Sequence, residues 1–171
     1  MMKRLSPDAL HWYVGCVRSC QEKRVASALR GRGLVCYLPL RREVRRWSDR
    51  RKVVESLLIP RYVFLRCNEI QRMAVLKSEP RIWGFMASEG RPSVVGDEEM
   101  EAFIKMVENG RPVRLAESGA VPGDRVRVTS GPLTGVECQL VGMSGNRCLA
   151  VQLGQLGTAL MDLELDSVEL I

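Results

Sequence analysis

Between Asn109 and Ala120 the chain reads NGRPVRLAESGA, a run of glycine, proline and small polar residues with no helical or strand period. Such a stretch makes few packing contacts, so it divides a chain of 171 residues into two small folding units. Residues 1–108 are expected to form one domain, 109–120 a linker and 121–171 a second domain. Charge changes at the same place. Residues 1–110 hold 21 basic and 13 acidic side chains, a balance of +8, whereas residues 111–171 hold 5 and 7, a balance of −2. Only the first unit therefore suits a polyanion such as nucleic acid.

Hydrophobic residues make up 46% of the chain and charged residues 27%, enough apolar material for packed cores. No apolar stretch approaches the roughly 20 residues that span a bilayer, so no membrane crossing is expected. The amino terminus begins with a signal-like Lys3-Arg4 but meets Pro7, Asp8 and His11 where an apolar region belongs, which argues against secretion. Cys16, Cys20, Cys36, Cys67, Cys138 and Cys148 lie mostly in apolar runs at irregular spacing, the pattern of reduced core residues in a cytoplasmic protein. Cys16 and Cys20 are spaced as a half metal site, yet no second close pair follows, and burial as apolar filler is the expectation. Neither a metal nor a cofactor is expected. His11 is the single histidine and no hydrolase, metalloprotease or phosphate-loop motif occurs, so the chain offers no catalytic residues and an enzyme is not expected.

Trp12 to Arg18 is aromatic and β-branched and predicts a strand. Ser19 with Glu22 has the spacing of a capping box for a helix carrying Val25, Ala28 and Leu29 on one face, stopped by Gly31 and Gly33. Leu34 to Leu38 predicts a second strand. From Arg41 to Lys52 seven basic side chains stand against two acidic ones, interrupted by Val44 and Trp47; this predicts two strand ends joined by a Ser48-Asp49 turn. Val53 to Ile59 and Arg61 to Cys67 are further strands on either side of Pro60. A short helix follows from Asn68 and Gln71 with Ile70, Met73 and Ala74 on one face; then come a strand from Ile82 to Met86, a turn at Gly90-Arg91-Pro92, and a helix from Asp97 with Met100, Phe103, Ile104 and Val107 on one face. The expected class is α+β, an antiparallel sheet flanked by helices. Beyond the linker, Arg125 to Val128, Val136 to Met143, Arg147 to Leu153, Thr158 to Leu163 and Val168 to Ile171 are short strands between Gly-rich turns, as in a small five-stranded β-barrel.

Four pieces in this order resemble the NusG family of transcription elongation factors: Trp12-Tyr13-Val14, Pro60-Arg61-Tyr62-Val63-Phe64-Leu65, the helix from Asp97, and Gly123-Asp124-Arg125-Val126-Arg127-Val128 with Gly131-Pro132-Leu133 after it. The resemblance implies an NGN-like amino-terminal domain joined to an SH3-like KOW barrel. KOW barrels also occur in ribosomal proteins, and a KOW-containing ribosomal or RNA-binding assembly protein is the alternative. The stretch Leu153-Gly154-Gln155-Leu156-Gly157-Thr158-Ala159 and the arginine-rich hairpin look like the specialised antiterminators of the RfaH and UpxY type, UpxY being nearer. UpxY proteins serve capsular polysaccharide operons.

The resemblance implies that Val14, Cys16, Tyr62, Phe64 and Phe85 meet the clamp helices of the RNA polymerase largest subunit. By spacing alone, Val14 with Cys16 and Tyr62 with Phe64 share strand faces that serve a core equally well. Arg18, Arg41, Arg42, Arg45, Arg46, Trp47, Arg50, Arg51, Lys52 and Arg81 are the candidate nucleic-acid residues, facing upstream DNA, the non-template strand or nascent RNA, because arginine pairs phosphate oxygens and Trp47 offers a stacking ring. The stretch Gln71-Arg72-Met73-Ala74 lacks the His-Thr-Thr pattern with which RfaH reaches the polymerase gate loop. In the KOW domain Leu133 and Val136 flank the tip expected to meet ribosomal protein S10 or Rho. Cys138 stands where most KOW motifs have glycine, which predicts an altered turn. The Val-rich, Gly-punctuated sequence favours strands, so no RfaH-like switch of this domain to helix is expected.

Overall fold

The computed structural model describes residues 6–116, 123–143, 145–163 and 166–171. In chain order the elements are β1 (His11–Val17), α1 (Glu22–Gly31), β2 (Val35–Tyr37), β3 (Leu40–Arg46), β4 (Arg51–Leu57), β5 (Tyr62–Cys67), α2 (Glu69–Ser78), β6 (Ile82–Phe85), β7 (Ala87–Ser88), β8 (Arg91–Pro92), β9 (Val94–Val95) and α3 (Asp97–Glu108), followed by β10 (Arg114–Ala116), β11 (Asp124–Val128), β12 (Glu137–Met143), β13 (Asn146–Gln152), β14 (Thr158–Asp162) and β15 (Val168–Leu170). The chain divides into two compact units. One takes residues through Leu38, Pro60–Asp97 and Gly154–Leu156; the other takes Pro39–Ile59, Glu98–Leu153 and Gly157–Ile171.

In the first unit the strands run β2-β5-β1-β6, with β9 also on β1, and every pairing is antiparallel. The sequence His-Trp-Tyr-Val-Gly-Cys-Val puts apolar side chains on both faces of β1, and all but His11 are buried, as the central strand requires. Helix α1 buries Glu22, Val25, Ala26 and Leu29, spaced 3.6 residues to the turn; Ala28 is only half-buried. The expected Ser19 capping box does not form. Cys20 adopts a left-handed φ of 65°, the helix begins later, and Glu22 turns inward to accept the Arg61 backbone N–H at 3.0 Å. A reciprocal capping box does form on α2. The Gln71 N–H donates to the Asn68 side chain at 2.8 Å while the Asn68 N–H donates to Gln71 at 3.0 Å. Its buried face also differs from expectation: Arg72 and Val75 turn inward, and Ile70, Met73 and Ala74 are exposed. The turn expected at Gly90-Arg91-Pro92 lies one residue earlier, at Glu89-Gly90, where both φ angles are positive and β7 folds back on β8. Helix α3, which from Glu98 onward belongs to the second unit, buries Met100, Ala102, Phe103 and Met106, with Ile104 and Val107 half-buried beside them.

In the second unit β3 and β4 form a two-stranded sheet of their own. The other strands run β10-β14-β13-β12-β11-β15, all antiparallel. All five expected carboxy-terminal strands are present, but the expected five-stranded closed barrel is not found. Among the described residues the sheet has six strands and its pairing path ends at β10 and β15 without closing. The sixth strand comes from Arg114–Ala116, inside the stretch read as linker, which pairs with β14 in register Arg114↔Leu160 to Ala116↔Thr158. Three residues are too few to show a period, which is why composition reads them as linker. Among the described residues no helix is long and apolar enough to cross a membrane.

Candidate functional site

The basic hairpin is the most sharply defined candidate. Strands β3 and β4 pair from Leu40↔Leu57 to Arg46↔Arg51, and the Trp47 N–H donates to the Arg50 carbonyl at 2.8 Å, leaving Ser48 and Asp49 as the turn the sequence predicts. Opposed residues share a face and alternate along the strands. One face carries Arg42 with Glu55, Val44 with Val53, and Arg46 with Arg51; the other carries Arg41 with Ser56, Glu43 with Val54, Arg45 with Lys52, and Trp47 with Arg50. At the stem the cations have partners: Arg41 and Arg45 each lie 3.7 Å from Glu43, Arg42 lies 3.5 Å from Glu55, and Arg41 also donates to the Val113 carbonyl at 3.2 Å. Among the described residues Arg46, Arg50 and Arg51 make no ion pair. Lys52 sits 5.7 Å from the centre of the Trp47 ring, and Trp47 is 55% exposed.

The apolar candidates divide between the two faces of the first sheet. In the β1–β5 register Val14 opposes Phe64 and Cys16 opposes Tyr62, so these four share one face. Tyr37 opposes Phe64 from β2 with its ring 6.4 Å away and joins the same face, a contributor the sequence did not single out. Phe85 opposes Gly15 and therefore lies on the other face, edge-on to Tyr13 at 6.2 Å. A Cβ on Gly15 would stand 3.2 Å from Val63 and 3.5 Å from Phe85, so glycine there lets the Phe85 ring close on the strand. Val14 and Phe64 are wholly buried and Cys16 nearly so, whereas Tyr62 and Phe85 are half-buried. Only the latter two present substantial surface.

Arg72 of α2 fixes the Phe85 face. Its guanidinium lies 5.5 Å from the Tyr13 ring centre and 5.4 Å from that of Phe85, and its Nε donates to Glu69 at 2.8 Å. Hydrogen bonds from Arg72 hold the Glu69 carboxyl below its usual range, against the opposing effect of burial. Arg18 and Arg81 come together through backbone, the Arg18 N–H donating to the Arg81 carbonyl at 2.9 Å. The Arg18 side chain is exposed, but Arg81 is engaged by buried Glu79, with Nε and Nη2 at 2.7 and 2.8 Å. Beside them Cys16 pairs with Gly84 and Val17 with Ile82, so Trp83 is the extra residue of a β-bulge and stands 68% exposed. Nothing in the spacing of Ile82-Trp83-Gly84-Phe85 marks that bulge.

In the second unit Leu133 and Val136 are buried, and the turn between them is closed by Val136 N–H to the Leu133 carbonyl at 3.0 Å. Cys138 does not shape a turn as expected; it lies in β12 opposite Val126, because the left-handed positions fall earlier, at Gly131 and Gly135. Burial pushes the thiols of Cys36, Cys67 and Cys138 up to about 11, so they stay protonated near neutrality. Cys16 is buried as expected, but Cys20 is exposed.

A family model described as NusG, transcription termination factor nusG, matches residues 10–104, more than half of the chain. The chain belongs to the NusG family. A structure of Thermotoga maritima NusG, concerned with domain interaction, is 22% identical and superposes with a TM-score of 0.50 over 97% of this chain and 99% of that one. Two conformations of an MjSpt4:Spt5 complex align at 15% and 16% identity with TM-scores of 0.32 and 0.33, covering 93% and 94% of this chain and 98% and 97% of theirs. Proteins of the NusG family are non-catalytic transcription factors, and the role supported here is the general one of transcription elongation and antitermination.

Proposed function

We propose that this NusG-family chain is a specialised elongation and antitermination factor of the UpxY and RfaH type, acting on particular operons such as those for capsular polysaccharide. Residues 1–108 serve as its polymerase-binding domain and 121–171 as the KOW domain, joined by 109–120, of which Arg114–Ala116 add a strand to the carboxy-terminal sheet. Tyr62 meets the clamp helices of the RNA polymerase largest subunit, with Val14, Cys16 and Phe64 packed behind it, and Phe85 contributes from the opposite sheet face. The observation that carries this reading is the register that aligns Cys16 with Tyr62 and Val14 with Phe64 on one face. The basic hairpin, with Arg18 and Arg81, faces upstream DNA or the non-template strand, and nascent RNA is the other nucleic acid it suits. In the KOW domain Leu133 and Val136 hold the tip that would meet ribosomal protein S10 or Rho.

Polar replacement of buried Phe64 would unfold the sheet, so the polymerase contact is tested at Tyr62. Tyr62→Glu should keep the native circular dichroism spectrum and lose co-purification with RNA polymerase; a folded variant that binds unchanged refutes the clamp contact. Transcription through pauses and terminators on several leader sequences then tests the function, with increased read-through expected on a subset. Equal read-through on every leader, with and without the protein, refutes specialised antitermination.

A further inference from the structure

Residues 109–120 have the composition of free connecting chain, yet residues 111–116 are fastened within the second unit. Arg111 donates to buried Asp166 at 2.7 Å, the Val113 side chain is buried, and Arg114–Ala116 pair with β14. Arg114 donates from Nη1 to Asp162 at 3.0 Å and from Nη2 to the Cys148 thiol at 3.3 Å, and Ala116 packs against Val141, Cys148, Ala150 and Leu160. The segment is thus laid as a strap along the β14 edge of the carboxy-terminal sheet. The same strap is gripped by the basic hairpin. Arg41, the second residue of β3, donates from Nη2 to the Val113 carbonyl at 3.2 Å across 72 positions, while its Nη1 lies 3.7 Å from Glu43. Both terminal nitrogens of this guanidinium are engaged inside the protein, which leaves it poorly placed to form a bidentate pair with a phosphate group. The stem is closed around it: Leu40 opposes Leu57, Arg41 opposes Ser56, and the Leu58 N–H donates to the Pro39 carbonyl at 3.1 Å. Pro39–Ile59 accordingly belongs to the same compact unit as the strap and the carboxy-terminal sheet, although in sequence it lies far from both.

We infer that residues 111–116 are a strap through which the β3–β4 hairpin and the carboxy-terminal sheet move as one body, with Arg41 the positioning residue that joins hairpin to strap. An isolated two-stranded ribbon has little stability of its own, so the direction of this one is set by what holds its stem. On the sheet side the strap is held by ion pairs, strand pairing and an apolar contact; on the hairpin side it is held by Arg41, and that link gives first. The direction of the hairpin then depends on whether β10 is docked on β14, and displacing β10 frees the hairpin. The device is independent of what either end binds.

The test measures the distance between hairpin and sheet in the full chain, with no ligand present. Of the six cysteines only Cys20 is exposed, so Cys20→Ser gives a background in which Asp49→Cys at the hairpin turn and Asn146→Cys at the start of β13 take nitroxide labels. Pulsed electron–electron double resonance should give one narrow distance for this labelled parent. Arg41→Met should replace it with a broad distribution, and Arg41→Lys, which keeps a donor for the Val113 carbonyl, should restore the narrow one. Leu115→Pro, which breaks the pairing of β10, should broaden the distribution as Arg41→Met does. A broad distribution in the labelled parent overturns the single body. A narrow distance that survives Arg41→Met overturns the role of Arg41, whatever Leu115→Pro does. The Arg41 side chain is half exposed, and an unchanged thermal unfolding midpoint in its variants separates release of the hairpin from loss of the fold. Neither polymerase nor nucleic acid enters the measurement, so its failure leaves the proposed function standing, and failure of that function leaves the strap standing.

Discussion

Arg72 occupies the inward face of a helix where an aliphatic residue is the rule. It is tolerated because its charge is met by Glu69 and its flat guanidinium lies against the Tyr13 and Phe85 rings. Arg72→Met should therefore destabilise the protein by about 1–2 kcal/mol, chiefly because it removes the cation from against the rings, since the Glu69 carboxylate left without its partner is partly solvated; urea unfolding at pH 7 measures this. The pH dependence has a definite sign. Glu69 titrates below its ordinary value of 4.5 in the folded protein, so its contribution is complete above that value and is lost as pH falls through the lower folded one. Stability of the unaltered protein should decline below about pH 4.5 more steeply than that of the Arg72→Met variant. Glu69 is 39% exposed, so solvent screens the effect and the difference in slope is modest. No sequence period announces this arrangement: Ile70, Met73 and Ala74 make the more apolar stripe, yet it is the stripe left in solvent.

At the scale of elements, the helix starts read at Ser19 and at Asn68 had unequal outcomes. Asn68 and Gln71 close a reciprocal pair on α2, whereas Ser19 caps nothing because Cys20 turns left-handed and Glu22 faces inward to the Arg61 amide. Asn68→Ala should accordingly cost about 1 kcal/mol and Ser19→Ala less than about 0.5 kcal/mol, both measured by chemical denaturation. Strand existence was well legible, since aromatic and β-branched runs bounded by proline and glycine mark β1, β5 and the strands from β11 to β15. Short elements were not. A three-residue strand such as β10 carries no readable alternation, and the bulge at Trp83 depends on how β6 meets β1 rather than on the local sequence.

At the scale of the whole molecule, the second unit is fastened by chain segments far apart in sequence. Arg111, at the edge of the segment read as linker, donates to buried Asp166 at 2.7 Å, across 55 positions. Asp166 in turn lies so close over Gly131 that a side chain there would collide with it. Arg111→Met should cost about 3–5 kcal/mol, the penalty for leaving a buried carboxylate unpaired, and should appear as a lower unfolding midpoint. That pair and strand β10 tie residues 111–116 to the carboxy-terminal sheet, although their composition marks them as connecting chain. The sequence by itself determined the family, the order of the main strands and helices, and the concentration of positive charge in the Arg41 to Lys52 hairpin, because strand runs, breakers and charge are local properties. Only the tertiary structure decided that Phe85 lies across the sheet from Tyr62, that α2 turns a cation inward and, among the described residues, that the carboxy-terminal sheet has six strands and that carboxylates pair with the hairpin's cations at its stem but not at its tip. Each of these is set by register between strands or by contacts between distant residues, which no local pattern records.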